Sequence, residues 1–306
     1  MTSPPFRVLI LGHGEMGQAM EYLLQPRQRL CVWERHPKSG QPLDLEAVAG
    51  NQDFVIFCLP AIPHFDLATR LRPLLSPNCL CLSIAKGLDH EGRTAAAALT
   101  QALGPGRSVG VIYGPMISEE IRAGRSAFAQ VGATHTTIYD QVLQLFESTA
   151  LALEYTPDIT GIAWSAVLKN VYAIVFGVAD EMALGDNLRG YLTAAAVREL
   201  GEIVTTLGGS SAAACGLAGL GDLITTATSA GSHHHALGRQ LARGQLDAIQ
   251  GEGVHTLEMV RARKLFDSRS YPVFHLIDRL LTEPEQTKAL MESFLTHLRH
   301  HPPRAR

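Results

Sequence analysis

The sequence predicts a doubly wound α/β domain with a parallel sheet, followed by an all-α C-terminal domain, and three observations carry that reading. From Phe6 to about Tyr155, short aliphatic or β-branched runs alternate with amphipathic segments. The runs are apolar throughout rather than at every second position, which describes strands buried on both faces, as in a parallel sheet covered by helices. After Asp158 the strand signals stop and helical periodicity takes over. At 306 residues, 46% hydrophobic and 18% charged, the chain is long and apolar enough to fill two cores.

In order, the strand candidates are FRVLIL (6–11), RLCVWE (29–34), DFVIFCL (53–59), CLCLSIA (79–85), SVGVIY (108–113), AFAQVGA (127–133) and LALEYT (151–156). Helical patterns such as PHFDLATRLRPLL, RTAAAALTQALG and TIYDQVLQLFEST lie between several of them. The remainder reads as helices over 160–184 and 187–208, a shorter HHALGRQLARG, then 254–268, PVFHLIDRLLTE and 285–300. The boundary falls at Thr156-Pro157-Asp158, where proline ends the last strand and the aspartate can cap the long helix, giving domains 1–158 and 159–306. No internal repeat or long linker interrupts this order, and HHPPRAR reads as a frayed tail.

The bulk numbers exclude some classes. A formal net charge of −3 gives no general pull toward nucleic acid or anionic membranes, so an anionic ligand has to be met by a local cluster of donors. The five cysteines (Cys31, Cys58, Cys79, Cys81, Cys215) form no C-x-x-C pair and are odd in number, which suits reduced thiols in a cytoplasmic protein without disulfides. MTSPPFRVLILG lacks the layout of a secretory signal. Ile159–Ala179 is long enough to span a bilayer, but Lys169 and Asn170 would sit near its midplane and no basic cluster flanks it; a buried helix of a soluble protein is the preferred reading.

Gly12-His13-Gly14-Glu15-Met16-Gly17 follows the first strand directly and opens a helix. There the first glycine permits a tight turn, the second lets a pyrophosphate approach the backbone, and the third lets helix and strand pack closely, so the expected ligand is a dinucleotide. About twenty residues on, the second strand ends in Trp33-Glu34-Arg35-His36. An acidic residue here binds the ribose hydroxyls of NAD, whereas Arg35 with His36 would hold the extra phosphate of NADP, and the sequence leaves both open. Glu15 suits the helix dipole but would repel a pyrophosphate unless it points away.

Lys169 is the only formally charged residue between Asp158 and Asp180. An ammonium in such apolar surroundings has a lowered pKa and makes a usable acid; the structural alternative is a lysine that snorkels its head outward or pairs with a core carboxylate. The best candidate partner is Asp222, the single acid in GLAGLGDLITTATS.

Together with the glycine turn, Ala85-Lys86-Gly87-Leu88, Tyr113-Gly114-Pro115, Val167-Leu168-Lys169-Asn170-Val171, Gly216-Leu217-Ala218-Gly219-Leu220-Gly221-Asp222-Leu223 and Glu252-Gly253-Val254-His255-Thr256 make the chain resemble the NAD(P)-dependent glycerol-3-phosphate dehydrogenases over nearly its whole length. The resemblance implies a Rossmann domain and a helical domain with the active site between them, NAD or NADP as cofactor, and dihydroxyacetone phosphate and glycerol 3-phosphate as the small-molecule pair, with a role in phospholipid synthesis. By the same resemblance Lys169 is the proton donor and acceptor, Lys86 contacts substrate, Asp222 orients Lys169, and Asn170 adds a hydrogen bond near the substrate. It also implies cofactor contacts at Gly12, Gly14, Glu15, Met16, Gly17, Arg35, His36, Lys86, Ser118 and Glu252, and substrate contacts at Lys86, Gly114, Lys169, Asp222, Ser232, His233 and His234. A homodimer is compatible with the helical domain, although no interface stripe stands out.

Two departures from the family pattern fall on the substrate side. The usual Ser-Arg-Asn that holds the substrate phosphate is Ser232-His233-His234, and the serine or threonine that commonly follows Gly-Pro is Met116. The segment between strands two and three is also short for the family. A histidine in the arginine's place predicts substrate affinity that falls as pH rises through about 6 to 7.5. The run His233-His234-His235 does not read as a metal site, because consecutive helical residues diverge and no second ligand cluster appears. The departures leave two alternatives to the family reaction: reduction of another small carbonyl compound, and a cofactor-binding protein without turnover.

Overall fold

The computed structural model describes residues 4–37, 40, 43–229, 231–246 and 249–300. Seven strands form one sheet: β1 (Arg7–Leu11), β2 (Arg29–Trp33), β3 (Phe54–Phe57), β4 (Leu80–Ser83), β5 (Ser108–Tyr113), β6 (Ala127–Ala133) and β7 (Leu151–Thr156), in the spatial order β2-β1-β3-β4-β5-β6-β7. The helices α1 (Glu15–Leu24), α2 (Leu45–Ala49), α3 (His64–Leu71), α4 (Ala95–Leu103), α5 (Ser118–Arg122) and α6 (Thr136–Leu145) connect them. Alternate residues of one strand feed opposite cores. Val8 and Ile10 pack with Met20 and Leu23 of α1, while Leu9 and Leu11 pack with Ala68 and Leu71 of α3 and Leu99 of α4. Covering both faces is what makes these strands apolar at every position.

The sheet departs from the wholly parallel expectation at one pair. β5 and β6 are antiparallel, with Tyr113 opposite Gln130 and Gly110 opposite Ala133, so β6 and its parallel partner β7 run against the first five strands. A connection that returns beside its own strand needs no full crossover helix, and the link between β5 and β6 holds only the short α5.

The helical part comprises α7 (Ile159–Glu181), α8 (Asp186–Thr206), α9 (Asp222–Thr228), α10 (His233–Ala242), α11 (Glu252–Arg263), α12 (Pro272–Thr282) and α13 (Thr287–His300). Asp158 caps α7 by accepting the Gly161 N–H at 2.8 Å. Every residue of α7 from Gly161 to Ala179 is buried, because α8, α9, α10, α11 and α12 pack around it, so its apolar surface meets protein rather than lipid. Burying each of its Val, Ile, Leu and Phe side chains contributes about 1.5–3 kcal/mol. Two helices stop earlier than their apolar patterns. Ala183 (φ 53°) and Lys264 (φ 51°) turn left-handed, and the next N–H closes back onto the last turn, Leu184 to the Ala179 carbonyl and Leu265 to that of Val260. The tail residues 301–306 lie outside the described residues.

Helices α7 and α10 meet backbone to backbone. A Cβ on Gly177 would lie 2.0 Å from the His235 carbonyl oxygen, and one on Gly238 would lie 2.0 Å from that of Ile174. This crossing fixes the first turns of α10 beside the C-terminal third of α7.

Candidate active site

The candidate phosphate turn after β1 is made of backbone. Gly12 takes φ 91°, where a Cβ would also lie 2.8 Å from the Cys58 carbonyl oxygen, and its N–H donates to the Trp33 carbonyl at 2.8 Å. A Cβ on Gly17 would lie 2.1 Å from the Gly12 carbonyl oxygen, so α1 is seated directly on the turn. Gly14 precedes α1 without a side-chain cap, and a Cβ there would meet nothing within 4 Å. An open space in front of uncapped first-turn N–H groups fits a pyrophosphate. Ser118 at the start of α5 belongs to the adjoining cavity wall, and its buried hydroxyl has no hydrogen-bond partner among the described residues. Both observations fit a dinucleotide on this side.

The candidate proton-handling groups come from three distant segments. Lys86 follows β4, Lys169 lies midway along α7, and Asp222 opens α9. Asp222 divides its carboxylate between the lysines: Oδ2 accepts from Lys86 Nζ at 2.6 Å, and Oδ1 lies 3.2 Å from Lys169 Nζ. Lys86 Nζ also donates to the Gly114 carbonyl at 2.9 Å, and Lys169 Nζ donates to Thr226 Oγ1 at 2.5 Å. The Asn170 side-chain amide donates to the Lys86 carbonyl at 3.1 Å, which ties the Lys86 loop to α7.

These contacts set the charges. Burial lowers the Lys169 pKa from 10.5 to about 8; Asp222 works against that shift and Lys86 adds to it. Burial works to raise Asp222, but the two lysines outweigh it and hold the carboxyl below the usual range. Glu252, at the start of α11, is pushed up by burial and pulled back by the lysines. The group can therefore deliver a proton from Lys169 near neutral pH while Asp222 stays ionised.

A cavity of about 360 Å³ opens over these residues. Glu15, Met16, Met116 and Ser118 wall it on the sheet side, and Thr225, Ser232, His233, His234 and Glu252 on the helical side. Glu15 thus borders the same space as the lysine pair. Arg35 and His36 lie elsewhere, exposed just beyond β2. A larger cavity of about 480 Å³, between α8, α12 and α13, holds none of the reactive trio.

The three histidines have different surroundings. His233 is exposed at the first position of α10, with Ser232 as cap. His234 Nε2 accepts the Gly253 N–H at 3.4 Å, and burial, followed by the charges of Lys169 and His233, lowers its pKa to about 3. His234 is therefore neutral and does not stand in for an arginine's charge, contrary to the expectation for this residue. His235 turns away to Asp180 at 2.8 Å.

Thr226 was missed by the sequence reading, although one signal could have found it. It lies one helical turn after Asp222, on the face that Asp222 presents to Lys169.

Comparison with known proteins agrees with this geometry. Residues 39–138 match the N-terminal model of NAD-dependent glycerol-3-phosphate dehydrogenase, and residues 158–292 match its C-terminal model. A glycerol-3-phosphate dehydrogenase [NAD(P)+] of Acaryochloris marina is 33% identical over 300 residues, covering 93% of this chain and 95% of that protein. One from Synechococcus is 31% identical, covering 96% and 98%. The crystal structure of glycerol-3-phosphate dehydrogenase from Coxiella burnetii shares the fold with a TM-score of 0.83 at 23% identity, covering 95% of this chain and 99% of that one. The chain belongs to the NAD-dependent glycerol-3-phosphate dehydrogenase family.

Proposed function

We propose that this protein is an NAD(P)-dependent sn-glycerol-3-phosphate dehydrogenase that reduces dihydroxyacetone phosphate to glycerol 3-phosphate for phospholipid synthesis. The observation that carries the reading is one buried carboxylate, Asp222, holding two lysines, of which Lys169 titrates at about 8. When bound, the reduced nicotinamide supplies a hydride to the carbonyl carbon. Lys169 gives the proton on Nζ to the carbonyl oxygen as negative charge develops there, leaving an alcohol and a neutral amine. Lys86 adds a second positive charge beside that oxygen, and Asp222 keeps both amines in place without taking the proton. The phosphate end is met by Ser232, His233 and the N-terminus of α10, which stand in the cavity wall. The five thiols are free, which suits a reducing cytoplasm.

The test is to follow oxidation of NADH and of NADPH by the purified protein with dihydroxyacetone phosphate. Expected is turnover that requires Lys169; no turnover with either cofactor would end this reading. One observation favours a second reading, reduction of an unphosphorylated small ketone. The cavity wall carries Glu15, Glu119, Asp222 and Glu252 against Lys86 and Lys169, and no arginine among the described residues. A panel of small ketones and 2-keto acids decides between them, since a better rate with dihydroxyacetone phosphate removes the second.

A further inference from the structure

Behind Lys86, the ends of β3, β4 and β5 meet at a polar group that takes no part in the proton transfer. His64, the first residue of α3, and Ser83, the last of β4, are fully buried, and neither lines the cavity. His64 Nδ1 lies 2.9 Å from the Pro60 carbonyl oxygen, and Nε2 lies 2.9 Å from Ser83 Oγ. A carbonyl only accepts, so Nδ1 carries the hydrogen, Nε2 is left as an acceptor, and the Ser83 hydroxyl donates to it. Burial lowers the His64 pKa from 6.5 to about 4, against the smaller opposing pulls of the Pro60 carbonyl and Asp89, so the ring stays neutral and keeps that role near neutral pH. The ring is also packed against Phe57 of β3, with centroids 5.1 Å apart.

With its hydrogen committed, Ser83 Oγ offers its lone pairs to its other neighbours. It accepts the Ala85 N–H at 3.1 Å, one residue before Lys86. The buried Tyr113 hydroxyl at the end of β5 also hydrogen-bonds to Ser83, and the next residue, Gly114, supplies the carbonyl that accepts from Lys86 Nζ at 2.9 Å. One oxygen thus governs both where the Lys86 backbone leaves the sheet and where its amine is held.

We propose that His64 and Ser83 are positioning residues for Lys86, His64 as the acceptor that aims the Ser83 hydroxyl and Ser83 as the anchor of the Lys86 segment and, through Tyr113, of the Gly114 carbonyl. The proposal rests on the dehydrogenase reading above, in which Lys86 places positive charge beside the substrate oxygen. Turning the Ser83 hydroxyl away lets that charge drift, and a misplacement of about 1 Å can cost about a hundredfold in rate.

The experiment compares His64→Gln, His64→Asn and Ser83→Ala. A glutamine carboxamide reaches the place of Nε2 and keeps an acceptor for Ser83, whereas an asparagine carboxamide reaches the place of Nδ1 and keeps only the donor to Pro60. Two quantities are followed: kcat with dihydroxyacetone phosphate, and acetylation of Lys86 by acetic anhydride without substrate, measured by peptide mass spectrometry against the exposed Lys288. The Lys86 side chain is 17% exposed, which admits the reagent. Expected for Ser83→Ala and His64→Asn is kcat lower by about tenfold to a hundredfold, with Lys86 acetylated severalfold faster as its amine is released, while His64→Gln stays close to wild type in both. Unchanged Lys86 acetylation in Ser83→Ala, or folded His64 variants that act alike or in the reverse order, overturns the proposal. Ser83→Ala removes a single oxygen and decides by itself should a His64 variant lose the wild-type melting temperature. Acetylation in the expected order without turnover of dihydroxyacetone phosphate would remove the dehydrogenase reading and leave the positioning of Lys86 standing.

Discussion

The two ends of the cleft are built from different materials. The nucleotide end is backbone: three glycines within six residues, one of them with φ 91°, and the uncapped first turn of α1. The lysine end is side chains from positions 86, 169 and 222, brought together by β4, α7 and α9. Backbone sites depend on steric permission and fail when a Cβ is added. Side-chain sites depend on charge and fail when a partner is removed. Damage at one end should therefore leave the other end's measurement intact.

The largest expected effect is at the lysine end. Lys169→Ala should lower turnover about a thousandfold, within the range of general acid catalysis, while NADH affinity measured by calorimetry stays at the wild-type value. A parallel loss of cofactor binding would show that the two ends are not separable. Gly17→Ala is the reciprocal change. Its Cβ would lie 2.1 Å from a main-chain oxygen, so α1 has to shift, at a cost of about 1–3 kcal/mol in denaturant unfolding together with weaker NADH binding. Turnover at saturating cofactor should suffer far less.

The pH profile sharpens the comparison without a mutation. The Lys169 pKa is lowered to about 8, so the ammonium prevails below that pH and the free amine above it. Ketone reduction needs the ammonium, so its kcat should fall as pH rises through about 8, and alcohol oxidation needs the amine and should rise through the same value. NADH binding, held mainly at the glycine turn, should not follow that break. Thr226→Val gives the smallest effect. It removes the hydroxyl that accepts from Nζ, favours the neutral amine, and should move the break to lower pH by about half a unit.

The same division explains what the sequence made legible. The seven strands were readable to within two residues because their burial on both faces is written in contiguous apolar runs. The antiparallel β6 was not, since AFAQVGA has the same composition in either direction and only the short connection through α5 reverses it. Lys169 drew attention as a lone cation in an apolar helix, and Asp222 as a lone acid among glycines. Their mutual distance is set by the packing of α9 on α7 and has no local sign in the sequence. Thr226 was overlooked among neighbouring threonines, and only its spacing of one helical turn from Asp222 sets it apart. The neutrality of His234 was hidden for a different reason: it depends first on burial and then on the charge of Lys169, both supplied by elements distant in sequence.

The Asp222 carboxylate has a mechanical consequence. One of its oxygens holds a residue of the sheet-bearing half and the other a residue of the helical half. Any movement of one half against the other would stretch the Lys86 bond and leave the buried acid with one cation instead of two, so the charge on Asp222 and the seating of the two halves are bound together.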